Sequence, residues 1–384
     1  MSNVTLAQGG GGEEFGGFVD GIRGKLKFTG GWENVMDDGA TISFDLIGGE
    51  EPKIPPAPLC ERGDQLKIPC LSYQGETLKT PQPPFAKGGN IKNPPTPPCE
   101  RGELNKTSHL VFTTDSFVVD PLFFAGGDIG KIAFCGTVND LAMMGARPLG
   151  LSLAFIIEEG LDQKIVDKIL ESINAVSESE RIPIVTGDTK VMGKGQIDKI
   201  AVITSGVGIA ENVIKDGGMN VGDAIIVSGS IGDHGATLLA ARFDYETELA
   251  SDCKPLVQEI QEIKNLITSC KDITRGGVAA IFNEMSKKGG VKFFINENKI
   301  PFKKEVISIC KILGISQYAL ACEGRFVCTA PNDKADEVVE ILKKFNSDAA
   351  VVGEVVSGSG VVLKTELGER ILELPRGKLV PRIC

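Results

Sequence analysis

Residues 161–179 read LDQKIVDKILESINAVSES, and KIAVITSGVGIA follows at 199–210. In the first stretch Ile165, Val166, Ile169, Leu170, Ile173 and Val176 recur at intervals of three and four, the period of one helical face. In the second, β-branched and small residues run on without that period, as in a strand. This switch decides the fold class, because elements of both kinds then alternate along the chain. Working outward, HLVFTTDSFVV (109–119), DAIIVSGSIG (223–232), VKFFIN (291–296) and GRFVCTA (324–330) have strand composition. KADEVVEILKKF (334–345) returns to the helical period. An α/β (α+β) protein is expected.

At 384 residues the chain is long for one domain, and two are expected. The boundary is placed in ENVIKDGGMNVGD (211–223), rich in Gly, Asn and Asp. That gives an N-terminal domain over 1–212, a C-terminal domain over 213–374 and a tail over 375–384. Residues 50–106 hold twelve of the 20 prolines and a near-repeat, PLCERGDQLK (58–67) and PPCERGELNK (97–106). Proline at that density sustains neither helix nor inner strand, so the segment reads as an extended insertion between strands. A net charge of −10 argues against a general nucleic-acid binder. No apolar run is long enough to span a bilayer, and the first residues lack signal-peptide character. A cytoplasmic protein is expected.

The ten cysteines include no C-x-x-C pair, and most are expected to behave as small buried hydrophobes. Acidic residues sit where strand signals meet glycines: Asp37 and Asp38, Asp115, Asp128, Asp140 beside Asn139, and Asp188 beside Thr189 and Lys190. Carboxylates of this kind suit Mg²⁺, and glycine backbone with a lysine suits phosphate. The plain alternative for each Asp is a turn or helix cap. For the set, a metal–nucleotide site is favoured. Neither a P-loop nor a dinucleotide fingerprint occurs. The glycines of GGGG (9–12), among them Gly10 and Gly11, form either a loose loop or a lid over phosphates. His234 is read as structural. Arg275 before Gly276 and Gly277 is either a phosphate clamp or a surface ion pair.

In order, TTDSFVVDPLFFAGGDIGKIAFCGTVNDLAMMGARPL (113–149), EEG (158–160), GDTKV (187–191), SGSIGDHG (228–235), DITRGG (272–277), CEGRF (322–326) and PRIC (381–384) line the chain. This series resembles the HypE family of nickel–iron hydrogenase maturation factors, within the PurM-like (aminoimidazole ribonucleotide synthetase-like) superfamily. The match omits 50–106. Two positions differ from the family pattern: Gln8 stands where the family has His, and Cys322 where it has Asn.

The resemblance implies a two-domain PurM-like fold whose N-terminal sheet completes a barrel across a homodimer, with a C-terminal α/β domain. It implies ATP with Mg²⁺ between the domains, a HypF-like carbamoyltransferase and a HypC–HypD-like iron-carrying complex as partners. The implied reaction is dehydration of a carbamoyl group on the terminal cysteine to a thiocyanate. Cys384 then carries the group, Glu323 is the base, and Lys190 is the phosphate clamp or proton carrier. Asp37, Asp115, Asp140 and Asp188 are the metal candidates. Gly10, Gly11, Asp115, Asn139, Asp140, Asp188, Thr189 and Lys190 line the nucleotide. The tail from Pro375 to Cys384 extends on the order of 30 Å, enough to carry a thiol between two sites. The alternatives are another PurM-like ATP-dependent kinase or synthetase, neither of which needs a mobile cysteine, and a non-catalytic maturation scaffold.

Overall fold

The computed structural model describes residues 13, 40–43, 108–376 and 383. The proline-rich insertion, Gln8, Gly10, Gly11, Asp37 and Cys384 lie outside the described residues.

The first sheet has the order β1 (Ala40–Ser43), β2 (His109–Phe117), β7 (Ile200–Ala210), β5 (Arg147–Glu158), β6 (Ile184–Met192). Its pairs are antiparallel except β5–β6. Two helices cover one face, α1 (Ile129–Met143) and α2 (Gln163–Glu180). The helix expected at 161–179 is α2. Asp162 caps it by accepting from Lys164 N, and Arg181 ends it in the left-handed conformation. Val166, Ile169 and Ile173 are its buried face.

α1 is of another kind. Thirteen of its 15 residues are buried, so it has no polar face. It is wedged between β2 and β7 on one side and the second lobe on the other, where Ala142 and Met143 join a core with Leu256, Ile260, Cys270 and Phe326. Phe134 within it is 1% exposed; truncating such a side chain to Ala costs about 3–5 kcal/mol.

The second sheet runs β14 (Gly368–Ile371), β13 (Gly360–Thr365), β10 (Lys292–Asn296), β12 (Ala350–Val356), β8 (Ala224–Val227), β11 (Phe326–Ala330), β9 (Ser269–Asp272). The helix α5 (Gly277–Gly289) packs on one face, against Ile225, Val227 and Val327. α4 (Val257–Ile263) and α7 (Ala335–Lys343) pack on the other, against Ile226, Cys270 and Cys328. The alternation of strand residues between the two cores follows the two-residue repeat of the pleat. α3 (Asp233–Arg242) and α6 (Lys304–Leu313) share a core with the first lobe. A short hairpin, β3 (Phe123–Phe124) with β4 (Gly127–Asp128), precedes α1. Residues 211–223, between β7 and β8, contain neither helix nor strand. Among the described residues no helix is long and apolar enough to cross a membrane.

Candidate active site

Glu323 lies in the turn that leads into β11 and is 3% exposed. Its N–H donates to Asp252 Oδ1 at 3.1 Å, and its carbonyl accepts from Lys254 N at 3.4 Å and Asn139 Nδ2 at 3.5 Å. The next residue must be glycine, because a Cβ on Gly324 would lie 2.0 Å from the Asp252 carbonyl. Arg325 Nε stands 3.9 Å from Asp252 Oδ2, close enough for charge attraction but too long for a hydrogen bond. The turn is therefore stitched to residues 251–256, and α1 supplies a third thread. Asn139 Oδ1 accepts from Leu256 N at 2.8 Å while its Nδ2 donates to Lys254 O at 3.1 Å. Asn139, expected beside a nucleotide, has both ends of its amide committed to backbone.

Beside this turn, Cys322 Sγ accepts the Gly232 N–H at 3.1 Å. Burial, aided by the Asp252 carboxylate, pushes its thiol well above the ordinary range and keeps it protonated. His234, in the first turn of α3, is fully buried. Its Nδ1 faces Ser251 Oγ at 2.8 Å and its Nε2 faces the Ile383 carbonyl at 2.7 Å. Burial holds its pKa below the usual histidine value, so the ring is neutral. Ile383 is itself 5% exposed and joins the apolar core of the first lobe.

A second group sits under α1. Asp115 Oδ2 accepts from Thr137 Oγ1 at 2.9 Å, and Asp140 Oδ2 accepts from Thr113 Oγ1 at 2.9 Å. The two carboxyls also hydrogen-bond each other, and burial raises the Asp115 pKa against the opposing pull of Thr137 and Arg275. From the other lobe comes Asp272, pushed up to about 6 mainly by burial and further by the Asp115 and Asp216 charges. Two adjacent carboxyls suit a divalent ion that takes one or two carboxylates and fills its shell with phosphate oxygens and water, so the pair fits Mg²⁺. Among the described residues no group of three or more His, Cys, Asp or Glu is placed to hold a metal ion by itself. The N-terminus of α5 has no side-chain cap. Gly277 there has φ +61°, and a Cβ would come within 2.5 Å of the Tyr318 carbonyl. An uncapped helix start beside Arg275 is a fit for phosphate.

The positions of the acidic residues correct the expectation that they end strands. Asp115 is the seventh residue of the nine in β2, Asp140 lies inside α1, and Asp188 lies inside β6. Asp128 has the plain role, capping α1 through bonds from Gly130 N at 2.7 Å and Lys131 N at 3.1 Å. Gly187 lies inside β6, and it is glycine there because a Cβ would meet the Leu153 carbonyl at 2.3 Å.

The register also separates the set. Asp115 pairs with Thr204, Thr204 with Leu153, and Leu153 with Gly187, all on the face that α1 and α2 cover. Asp188 pairs with Ala154, one step further along β5, and Lys190 with Ile156. Side chains alternate along a strand, so Asp188 and Lys190 share the open face, while Thr189 points to the Asp115 side. Within one chain the expected cluster is thus divided between two faces. Asp252 and Lys254, which organise the Glu323 turn, and Ser251, which bonds His234, have no signal in the sequence. ASDCKP (250–255) carries no motif, and its importance lies wholly in what packs against it.

Models of the AIR synthase related proteins match the chain twice, the N-terminal domain over 101–210 and the C-terminal domain over 220–366. Fold and site therefore define a two-domain, PurM-like protein of that class. Carbamoyl dehydratase HypE of Rhodobacter capsulatus is 42% identical over 289 residues, covering 72% of this chain and 85% of that protein. A HypE structure in complex with ATP superposes with TM-score 0.69 at 36% identity, over 72% of this chain and 87% of the other. A HypE–HypF complex superposes with TM-score 0.67 at 41% identity, over 69% and 90%. The chain belongs to the HypE family.

Proposed function

We propose that this chain is the ATP-dependent carbamoyl dehydratase of hydrogenase maturation, acting on a carbamoyl group carried by its own Cys384. The product is a thiocyanate, which supplies the cyanide ligands of the nickel–iron hydrogenase iron. One observation carries the site-level reading: Ile383, the neighbour of Cys384, is docked through His234 beside the loop that holds Glu323, in a chain of the HypE family.

The chemistry sets the requirements. A thiocarbamate, R–S–C(=O)–NH₂, loses water poorly because hydroxide is a poor leaving group. Transfer of a phosphoryl group to its oxygen, with loss of one N–H proton, makes that oxygen leave as phosphate. Loss of the second N–H proton closes the C≡N bond. Glu323 is assigned as the acceptor of a proton from that nitrogen. ATP is the phosphoryl donor; the ATP-bound relative and the uncapped α5 start beside Arg275 support it. Asp115 and Asp140 would hold Mg²⁺, with Asp37 and Asp188 as further candidates, and the ion would neutralise phosphate charge. Lys190 is assigned to the phosphates or to proton transfer. Thr189, Gly10 and Gly11 are assigned to the nucleotide's surroundings, and Asn139 serves by holding the Glu323 turn.

The HypE–HypF complex supports a HypF-like carbamoyltransferase as donor. A HypC–HypD-like complex is the assigned acceptor of cyanide, and the chain is assigned to a homodimer in the cytoplasm. The six described cysteines are all free thiols, in keeping with a reducing compartment.

The test is a mass measurement on the C-terminal peptide. With carbamoyl phosphate, Mg-ATP and a carbamoyltransferase of the HypF type, Cys384 should gain a carbamoyl group and then lose water only when ATP is present. Glu323→Gln should stop at the carbamoyl form. An adduct on another residue, or water loss indifferent to ATP, sinks the proposal.

A further inference from the structure

His234 has one polar valence that the fold leaves for the tail. A carbonyl only accepts, so the contact with Ile383 O requires the proton on Nε2. In the neutral ring Nδ1 is then an acceptor, and Ser251 Oγ donates to it. Ser251 Oγ accepts in turn from Cys253 N at 3.1 Å, which completes its bonding. Phe124 meets the imidazole edge to face, with ring centroids 5.4 Å apart, and limits its rotation. A chain of fixed direction therefore runs from the Cys253 N–H through Ser251 and His234 to the carbonyl of residue 383. With Ile383 docked, the ring is held in one tautomer, and Phe124 limits its plane.

A second device receives the Ile383 side chain. A Cβ on Gly235 would stand 3.3 Å from Ile383 Cδ1, 3.2 Å from Leu320 Cβ and 3.1 Å from Ala321 N. The missing side chain opens a slot that Ile383 fills. The loop that orients His234 through Ser251 also orients Glu323 through Asp252, the next residue. One peptide unit, about 3.8 Å between Cα atoms, separates Ile383 from Cys384.

We infer that His234, with the Gly235 slot, is a positioning residue: it docks the penultimate residue so that Cys384 is presented to the Glu323 turn. This rests on Cys384 being the carrier. The docking also predicts something independent of dehydration, namely protection of the Cys384 thiol in the unmodified protein.

The experiment compares wild type, His234→Phe, His234→Gln and Ile383→Ala in the full chain, with two readouts. The first is the rate of iodoacetamide alkylation at Cys384, followed by mass of the C-terminal peptide. The second is single-turnover water loss from carbamoylated protein at saturating Mg-ATP. His234→Phe keeps a flat ring but loses the donor. It should alkylate faster and lose water more slowly, each about two- to tenfold, the range of one buried hydrogen bond. His234→Gln restores an N–H donor and should approach wild type in both. Ile383→Ala keeps the carbonyl but empties the slot. It changes only the tail, so it reports docking even where a His234 variant fails to fold. Unchanged alkylation in both His234→Phe and Ile383→Ala overturns the inference. Wild type that shows the protection but no ATP-dependent water loss overturns the functional reading and leaves the dock standing.

Discussion

Asn139 has one amide group and three backbone partners in a different lobe. It is 2% exposed, so no water replaces those bonds when the amide is removed. Asn139→Ala strands the Leu256 N–H and loosens the Glu323 turn. A buried donor left unpaired costs about 1–3 kcal/mol, so urea melts should show a loss of that size. Dehydration should fall as well, with the carbamoyl form accumulating as in Glu323→Gln. Asn139→Asp keeps an acceptor for Leu256 but sets a buried charge against the Lys254 and Glu323 carbonyls, and should be no better. Unchanged melting and turnover in Asn139→Ala would remove Asn139 as the link between α1 and the turn. Asn139 also marks what could be read at this scale. The sequence identified it as a functional residue next to Asp140, yet the partners that define its role come from residues 254–256, more than a hundred positions away. Glu323 was legible from a family motif. Ser251 and Asp252 were not, because a residue that works through backbone contacts leaves no spacing to recognise.

Elements were legible in proportion to how unequal their two sides are. α2 has one face in the core and one in water, and its period shows it plainly. α1 has no exposed face because both lobes press on it, so apolar period vanished into uniform burial. The same cause hid the helical setting of Asp140, a residue singled out for its chemistry in a stretch with no helical signature. GDTKV carries little strand signal because the tight approach of β5 at Gly187 demands glycine inside β6. The connection that aims β6 depends on Glu158, at the end of β5. Its Oε1 accepts from Gly195 N at 2.7 Å and its Oε2 from Lys199 N at 3.1 Å. Both residues have positive φ, +78° for Gly195 and +63° for Lys199, and Lys199 pays a steric cost there that the bond offsets. These two donors hold the Glu158 pKa below its ordinary 4.5. The folded value being the lower, this contribution is present above pH 4.5 and is lost as pH falls through the folded value. Glu158→Gln should therefore speed hydrogen exchange of the amides at 193–199 several-fold at pH 7, with little change in global melting. Wild type should approach that behaviour in acid. Equal exchange in both proteins at pH 7 would show that the loop holds itself.

At the scale of the whole molecule, the division of the acidic residues between two faces becomes an argument for a second copy. Asp115 and Asp140 lie under α1, whereas Asp188 and Lys190 stand on the face of the same sheet that no described helix covers, around Ala154 and Ile156. Phe112 on that face is 40% exposed. Apolar surface of this kind on a one-sided sheet is what an interface between copies would cover. If one nucleotide is gripped by both sets, the Asp188–Lys190 set at each site must come from the partner chain. Ala154→Arg, at the centre of the open face, should then give a folded monomer by light scattering that no longer dehydrates Cys384. Chain mixing separates this from mere destabilisation. Asp115→Asn and Lys190→Ala proteins should each be nearly inactive. Dissociated and reassembled together, random pairing makes half the dimers mixed, each with one intact site of two. About a quarter of wild-type activity should return. Were Asp115 and Lys190 to serve the same site from one chain, every site in a mixed dimer would carry one lesion or the other, and no activity would return.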